Sequence, residues 1–593
     1  MITERLSKLR VAMQAAGVQA YIIPTEDPHM SEYPAACWKH REWITGFTGS
    51  FGTAVVTLDG AGLWTDSRYF LQAESQLAGS GIDLYRLKIA GTPTIAQFLI
   101  SNLHAGDKVG ADGKTMSATA AEELREELSR HGISLVTSLD LIGEIWEDRP
   151  SLPDSKVWEM PVERSGFSVA EKIRKINDAL EEAGAEGTVL SALDDVAWAF
   201  NLRALDVTYN PVAVAYGYVS PERSVLFIDS EKLTKEIVDN LEKQGVEILP
   251  YEGLECFLKT LPAGIRVLLD KKRTNASIME ALPEGAVVID AISPANHFKS
   301  IKNEAEIAGF RSVTLKDGIA MTKFFKWLEE ALAKGERVTE LSAARRLASF
   351  RAEQPGYICD SFAPISSYGA HGAVVHYSPT EETDVELHCD SLYLIDSGGQ
   401  YTDGTTDITR TIALLPEPTE QMRHDFTAAL RGTIGIAMAQ FPAGIRGCLI
   451  DAFARKYLWE AGIQYLHGTC HGIGHCLNVH EGPQSIRMEE NPVIIEAGMV
   501  MSDEPAMYRP GEYGIRTENM VLCKENETTV FGTFLGFETL TLCYVDMSLV
   551  DTSVMTAPEL DWLKNYQQHV YEALAPHLDE EERTWLWKKT RVE

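Results

Sequence analysis

Two aspartates in one β-hairpin sequence, Asp396 and Asp407, set the strictest condition on how this chain can fold. Residues 394–410 read as an apolar strand, a turn around Asp403-Gly404 and a second apolar strand. If the arms pair symmetrically, the two aspartates face each other with Cβ atoms roughly 4.5–5.5 Å apart. Two carboxylates that close repel each other unless a cation lies between them or one holds a proton. The hairpin is therefore predicted to be half of a metal site.

Three further residues downstream supply the other half of the predicted site: His471, Glu504 and Glu518. With the two aspartates they provide four negative charges and one neutral nitrogen, which two divalent ions would balance. Such oxygen-rich ligation favours manganese, magnesium, iron or cobalt over a thiolate-type zinc site. Paired ions about 3.5–4 Å apart can share a hydroxide, polarise a carbonyl and stabilise an oxyanion. The pattern indicates hydrolytic chemistry.

Four sequence strings carry these residues: IDSGGQYTDGTTDITR (395–410), YLHGTCHGIGHCLNVHEGP (465–483), SDEPAMY (502–508) and GIRTEN (514–519). In their order and spacing they closely resemble the aminopeptidase P (Xaa-Pro aminopeptidase) branch of the pita-bread metallopeptidases, in its long three-domain form. The resemblance implies removal of the N-terminal residue from peptides with proline second, through a hydroxide that bridges two divalent metals, with Mn²⁺ expected. It also implies a homodimer.

The resemblance assigns a role to each matching position. Asp396 would bind one metal alone, Asp407 and Glu518 would bridge both metals, and His471 and Glu504 would complete the other ion. Glu504 is also expected to act as the general base. Five more positions match the family's substrate-side residues. His480 is expected to bind the scissile carbonyl, His376 and His467 to shape the proline pocket or help move protons, and Tyr508 and Arg516 to lie near metals and substrate.

The chain departs from the family pattern at two positions. Cys470 stands before the ligand histidine where the family usually has glycine, and Ala506 is a milder replacement of the same kind. A cysteine would be strained if that backbone required a positive φ. We expect a packed thiol that does not bind metal. His475 has no family counterpart, so we expect it to be structural.

Composition limits the classes of partner. The chain has 86 acidic and 54 basic residues and a formal charge of −32, which disfavours nucleic-acid and membrane-surface roles. Nine scattered cysteines without a CxxC pair indicate reduced thiols, and residues 1–10 contain no apolar signal core. No run of eighteen apolar residues occurs, so no spanning helix is expected. These features predict a cytoplasmic location.

Pro-containing breaks near residues 150 and 294 divide the chain into three predicted domains. Residues 1–152 and 153–296 read as two copies of one creatinase-like α/β domain, because each has an N-terminal helix, a short strand and a later strand pair. The strand pairs are predicted at 54–56 with 62–64, and at 212–214 with 225–227. Residues 297–593 are expected to form the pita-bread domain, with a helical extension from about residue 556. In this domain Met321, Phe324 and Phe325 recur at helical spacing and are predicted to pack in the core, and residues 373–377 are predicted to form a strand. The predicted fold class is α/β followed by α+β.

Three alternative functions stay open. A prolidase uses the same five ligand types but cleaves only Xaa-Pro dipeptides, and the duplicated N-terminal domains favour aminopeptidase P. A non-catalytic pita-bread module that binds peptides typically lacks ligands that are present here. A metal-free, creatinase-like hydrolase is disfavoured for the same reason.

Overall fold

The computed structural model describes residues 1–592 and divides the chain into two compact units. The N-terminal unit contains residues 1–161 and 167–297, and the C-terminal unit contains residues 162–166 together with the chain from residue 298 onward. Among the described residues, no helix combines the length and the apolar character needed to cross a membrane.

The first half of the N-terminal unit is a six-stranded sheet with helices on it. Helix α1 buries Leu6, Leu9 and Met13, which recur at helical spacing, and ends at Gly17 in the left-handed region with φ +70°. The strand order is β4-β3-β2-β1-β5-β6. The elements are α1 (Ile2–Ala16), β1 (Ala20–Pro24), α2 (His40–Thr45), β2 (Thr53–Thr57), β3 (Ala61–Thr65), α3 (Phe70–Gln76), β4 (Asp83–Arg86), α4 (Ile95–Asn102), β5 (Lys108–Ala111), α5 (Ala118–Ser129), β6 (Ser134–Val136) and α6 (Leu141–Ile145).

The second half of this unit repeats the first. Its sheet has the order β12-β11-β10-β8-β13-β14, with the same succession of parallel and antiparallel neighbours as the first sheet. The elements are β7 (Trp158–Glu159), α7 (Val162–Ser165, in the C-terminal unit), α8 (Val169–Ala183), β8 (Gly187–Leu190), α9 (Leu193–Ala199), β9 (Leu202–Arg203), β10 (Ala215–Val219), β11 (Ser224–Ile228), α10 (Lys235–Lys243), β12 (Val246–Leu249), α11 (Leu254–Leu258), β13 (Arg266–Leu269), α12 (Ala276–Glu280), β14 (Val287–Asp290) and α13 (Pro294–Ser300).

The predicted position of one strand of the repeat is wrong. Residues 212–214 are not a strand, and β10 begins at Ala215 instead. The backbone N–H of Val214 donates to Oδ2 of the buried Asp206 at 2.7 Å, and the apolar run lies in an irregular segment rather than in the sheet. The partner strand over 225–227 is confirmed as part of β11.

The C-terminal unit packs long helices against antiparallel sheets. The 30-residue helix α14 starts at a capping box between Asn303 and Glu306 and buries the predicted core residues Met321, Phe324 and Phe325. The elements are α14 (Glu304–Ala333), α15 (Glu340–Ala352), β15 (Tyr357–Asp360), β16 (Ile365–Tyr368), β17 (Leu392–Ser397), β18 (Gly399–Tyr401), β19 (Gly404–Thr405), β20 (Ile408–Ala413), α16 (Glu420–Ala437), β21 (Gln440–Pro442), α17 (Asp451–Glu460), β22 (Cys470–Gly472), β23 (Glu481–Ile486), β24 (Val500–Asp503), β25 (Ala506–Arg509), β26 (Tyr513–Arg516), β27 (Asn519–Thr529), β28 (Gly532–Thr539), α18 (Ala557–Leu574) and α19 (Glu580–Lys589).

Two sheets of this unit carry the predicted metal-site residues. One has the order β16-β17-β20, and the other has the order β21-β28-β27-β24-β22-β23. The helical tail packs on the same core as α14, because Leu563, Val570 and Leu586 are buried in one cluster with Phe325.

Candidate metal centre

The hairpin that begins the site has a different register from the predicted one. Asp396 pairs with Thr409 across β17 and β20, and Gln400 pairs with Thr405 across β18 and β19. The prediction that Asp396 and Asp407 are directly opposed is therefore wrong by two residues. A shift of two residues keeps every side chain on its face of the ladder, and Asp407, which lies just before β20, is near enough to Asp396 for its charge to raise the Asp396 pKa.

The position of the turn explains this register. The turn residues are Thr402 and Asp403, and the Asp403 carboxylate accepts hydrogen bonds from α14. Lys316 Nζ donates at 2.8 and 2.7 Å to its two oxygens, and Ser312 Oγ donates at 2.8 Å. The helix therefore fixes where the chain reverses.

His471, in β22, faces Asp407 and Glu504 with one ring nitrogen. Its Nε2 lies 3.3 Å from Asp407 Oδ2 and 3.6 Å from Glu504 Oε1. Its Nδ1 donates to the Gly472 carbonyl at 2.9 Å, so Nε2 is the nitrogen that points toward the carboxylates and is available to a cation. Ligand atoms of Asp407, His471 and Glu518 all lie within 4.8 Å of one another.

The two glutamates are placed by the ends of strands. Glu504 follows β24, where its N–H donates to the Thr469 carbonyl at 2.9 Å and Ser502 Oγ lies 3.3 Å from its carboxylate. Glu518 lies between β26 and β27, and its N–H donates to the Thr409 carbonyl at 3.0 Å. The Thr409 hydroxyl also donates to Glu518 Oε2 at 2.7 Å. Thr409 thus ties the second glutamate to the aspartate hairpin.

Arg516 is a buried cation at the edge of this group. It donates from Nη2 to Asp396 Oδ2, from Nε to Thr409 Oγ1 at 3.0 Å and from Nη1 to the Tyr508 hydroxyl at 2.8 Å. The other oxygen of Asp396, Oδ1, is buried and accepts no hydrogen bond within the described chain. An orphaned buried carboxylate oxygen beside three further acids fits a cation ligand.

The electrostatics of the group reflect crowded negative charge. Burial raises the pKa of Asp396 and of Glu518, and neighbouring carboxylates raise both further. Burial likewise raises the pKa of Glu504 to about 7, although His471 and Arg516 oppose the shift. Burial opposes protonation of His471, yet its hydrogen bond to Asp407 and the charge of Glu504 raise its pKa to about 9. The crowded carboxylates therefore favour bound protons, and divalent cations could balance the same negative charge in place of those protons.

Three of the predicted substrate-side residues lie next to this group of acids. The His480 ring lies edge-on to His471 with centroids 4.5 Å apart. His467 Nε2 lies 2.9 Å from the Tyr508 hydroxyl, and its Nδ1 lies 3.9 Å from Glu504 Oε2. His480, His467 and Tyr508 therefore lie beside the group formed by His471 and the four carboxylates.

His376 lies in a turn after the 3₁₀ helix Gly369–Ala373. The expected strand over 373–377 is wrong. The buried carboxylate of Glu340 accepts from the Tyr368 N–H at 2.6 Å and from the Tyr377 hydroxyl at 2.8 Å, which bends the chain between them.

Comparisons with known proteins agree over the whole chain. Residues 5–145 and 148–306 each match the creatinase/prolidase N-terminal domain, residues 308–525 match metallopeptidase family M24, and residues 533–592 match the C-terminal region of peptidase M24. The chain is 39% identical to aminopeptidase P2 of Arabidopsis thaliana, covering 100% of this chain and 88% of that protein. It is 40% identical to a probable Xaa-Pro aminopeptidase P of Coprinopsis cinerea, covering 99% and 97%.

The chain belongs to the aminopeptidase P family. A solved structure from Caenorhabditis elegans, described as an X-prolyl aminopeptidase that is a cytosolic enzyme with a di-nuclear active site, matches with a TM-score of 0.95 and 32% identity over 100% of both chains. The predicted family, the fold class and the two creatinase-like copies are confirmed.

The departures from the aminopeptidase P pattern are accommodated in the core. Cys470 lies in β22, pairs with Ile486, and is absent from the residues with positive φ, so its backbone is not strained. Its side chain belongs to a buried apolar cluster, as expected for a packed thiol, and burial raises its pKa well above the usual range. Ala506 is fully buried in β25.

Two residues of the site were missed by the sequence analysis. Thr409 connects Glu518 and Arg516, and Ser502 accepts the His471 N–H at 3.0 Å while it contacts Glu504. Both lie inside the family's motif strings, two residues from an acidic position. A buried hydroxyl at that spacing in a strand shares the acid's face, and this signal could have found them.

Proposed function

We propose that this chain is a metal-dependent aminopeptidase that removes the N-terminal residue from peptides with proline in the second position. The observation that carries the proposal is the convergence of Asp407, His471 and Glu518 within 4.8 Å, in a chain that matches named Xaa-Pro aminopeptidases over nearly its full length. Glu504 lies 3.6 Å from His471, and Asp396 lies near enough to Asp407 for that charge to raise its pKa.

Two divalent ions, Mn²⁺ by preference, are proposed as the cofactors. Asp396 would hold one ion, His471 and Glu504 the other, and Asp407 and Glu518 would contribute to both. When bound, the ions polarise the scissile carbonyl and lower the pKa of water toward ~7. The oxygen-rich donor set with one imidazole suits manganese, iron or cobalt.

The side chains around the ions have separate tasks in this proposal. Glu504 takes a proton from the attacking water on its carboxylate and passes it to the leaving proline nitrogen. His480 donates to the oxygen of the scissile carbonyl as negative charge develops there. Arg516 holds the Asp396 carboxylate in place through its Nη2, and Tyr508 is held by the same guanidinium.

Proline in the second position fits this arrangement for a chemical reason. An Xaa-Pro bond is a tertiary amide without an N–H, and the ring fixes φ near −65°. An enzyme that relies on contacts to that N–H cannot hold it. We propose that His376 and His467 wall the proline ring, and that the substrate's α-amine lies beside the carboxylates.

The test compares two substrates and two metal states. With Mn²⁺, hydrolysis of Ala-Pro-Ala at its first bond supports an aminopeptidase. Hydrolysis of Ala-Pro alone, with Ala-Pro-Ala untouched, supports the prolidase alternative. Loss of hydrolysis in EDTA with recovery on added Mn²⁺ supports the metal centre, and no hydrolysis of either peptide with two bound ions supports a non-catalytic binding module.

The assembly and the cellular location are proposed from separate observations. We propose a homodimer, since Leu449, Phe453, Trp459 and Leu466 are large, apolar and exposed in and around α17. Light scattering on wild-type protein and on Trp459→Glu tests this. We propose a cytoplasmic location because the C. elegans relative is described as cytosolic. We also propose domain boundaries at residues 152 and 296.

A further inference from the structure

A buried group of three charged side chains lies next to His480 in the structure. Glu481 follows His480 in the chain, and Lys302 Nζ contacts its Oε1 while Lys299 Nζ lies 3.4 Å from its Oε2. All three side chains are at most 1% exposed. Lys302 Nζ also donates to the Lys299 carbonyl at 2.7 Å.

Such a group is expensive to bury, because each charge loses its hydration on leaving water. Apolar side chains of similar size would stabilise the same space at least as well. The retention of two lysines around one carboxylate therefore points to a positional requirement rather than to a gain in stability.

The strands connected by this group enclose the strand of His471. Glu481 begins β23, and the sheet order places β22 between β23 and β24. The segment 299–302, which contains both lysines, is attached next to the start of β24. The Lys302 N–H donates to the Gly498 carbonyl at 2.9 Å, and Ile301 forms an isolated β-bridge with Met499. The ion group thus connects β23 to β24 across β22.

Glu481 also packs closely against the chain that follows His471. Gly472 pairs with Glu481, and a Cβ on Gly472 would lie 2.4 Å from the Glu481 carbonyl oxygen. A Cβ on Gly474 would lie 3.1 Å from Glu481 Oε2. The position of the Glu481 carboxylate therefore sets the distance between this loop and the His480 backbone.

We propose that Glu481, held by Lys299 and Lys302, is a positioning residue that fixes the His480 imidazole against His471. The inference rests on the proposed peptidase function only for its kinetic consequence, which is the placement of His480 at the scissile carbonyl. Its structural consequence, the 4.5 Å ring contact, does not depend on that function.

The first arm of the experiment is kinetic and uses the full-length, Mn²⁺-loaded protein with an Xaa-Pro-Yaa peptide. Glu481→Gln is expected to lower kcat about 10–100-fold, the usual range for residues that support a metal site, with KM within about threefold and two metal ions retained. His480→Ala is expected to lower kcat similarly, and the double variant to fall no further than His480→Ala alone. An unchanged kcat for Glu481→Gln, or multiplicative losses in the double variant, would overturn the proposal.

The matched control is Glu538→Gln. Glu538 also contacts two cations, Arg311 at 3.0 Å and Lys524 at 3.3 Å, but on the surface. It is expected to keep wild-type kcat, and a loss equal to that of Glu481→Gln would mean that any ion pair in this unit matters equally. If Glu481→Gln does not fold, Glu481→Gln with Lys302→Met removes one charge of each sign and is assayed in its place.

The second arm is independent of activity. A crystal structure of Glu481→Gln is expected to show the His480 ring displaced from His471, with the metal ligands in place. An unchanged ring contact overturns the inference even if the wild-type protein proves inactive on Xaa-Pro peptides. Wild-type inactivity on its own overturns only the proposed function.

Discussion

Two groups of buried acids, one in each unit, differ in how far cations of the chain balance them. In the N-terminal unit, Asp206 meets Lys232 Nζ at 2.6 Å, and Asp194 and Asp195 share Arg273 at 2.6 and 3.2 Å. In the C-terminal unit, the four carboxylates at positions 396, 407, 504 and 518 share the guanidinium of Arg516 and the imidazole of His471. In the first group Asp206 has a cation of its own and the other two acids share one, whereas the second group leaves more negative charge, which divalent ions can balance.

The comparison separates acids that hold the fold from acids that serve a site. A buried acid with its own cation contributes to specificity of packing, and removal of either partner is costly. A buried cluster with excess charge destabilises the metal-free fold and is retained for what it binds. Burial alone does not distinguish these two kinds of residue.

Glu518→Gln should cause the largest effect. The change removes a proposed ligand to both ions while it keeps the shape of the side chain and its contact with Thr409. We expect Xaa-Pro peptide hydrolysis to fall by more than about 100-fold, since even residues that merely support a metal ligand are worth 10–100-fold. Steady-state kinetics with metal analysis checks this, and near-normal turnover with two ions bound would remove Glu518 from the proposed ligand set.

The same substitution and Asp206→Asn should have opposite effects on the metal-free protein. Asp206→Asn leaves Lys232 buried without its acid, so the free energy of unfolding should fall by about 3–5 kcal/mol. Glu518→Gln removes one of several crowded negative charges, so stability in EDTA should be equal or higher. Thermal unfolding of both variants in EDTA tests the contrast, which fails if Glu518→Gln is as destabilising as Asp206→Asn.

Metal binding should stabilise the wild-type protein by a smaller amount. An ion that binds the folded state alone adds about 2.7 kcal/mol at 100 times its Kd. We expect a higher Tm on addition of Mn²⁺ to wild type and to Asp206→Asn, and a reduced shift for Glu518→Gln. A calorimetric scan without any Mn²⁺ shift in wild type would contradict a preformed site.

The smallest expected effect is the pH dependence of the metal-free protein. The pKa of His471 is raised to about 9 and that of Glu504 to about 7. For both groups the folded state binds the proton more tightly than the unfolded state, so their stabilisation is present at low pH and is lost as pH rises through these values. Unfolding temperatures in EDTA should fall between pH 5 and pH 9, with a shallower fall in His471→Asn, and a rise over this interval would be incompatible with the crowded cluster.

The sequence predicted what lies in the site better than how it is arranged. The five proposed ligands were found because each lies in a motif string, and the strand repeat was found because apolar runs recur. The hairpin register was missed because the turn is formed by Thr402 and Asp403, and the Asp403 carboxylate is held there by Lys316 of α14, 87 residues upstream. The link from Arg516 to Asp396 joins residues 120 positions apart, and local pattern contains no information on such a contact.

Strand prediction from apolar patterns also failed at two segments that donate hydrogen bonds to a buried carboxylate. Residues 212–214 and 373–377 both have strand-like composition. Asp206 accepts a hydrogen bond from the Val214 N–H, and Glu340 accepts one from the Tyr377 hydroxyl and another from the Tyr368 N–H upstream of the second segment. Both errors have the same cause, because a buried carboxylate needs donors and takes them from nearby chain.

The spread of the ligand residues along the chain has a consequence for biosynthesis. Asp396 and Asp407 leave the ribosome long before Glu518, and the β17–β20 pairing around them needs no residue after Ala413. Because β22 and β24 reach their places only in the sheet built on β27, a nascent chain that ends before β27 lacks a finished binding cradle. Loading of the proposed site is therefore expected to be a late step, because translation that stops short of β27 leaves β24 without its neighbouring strand.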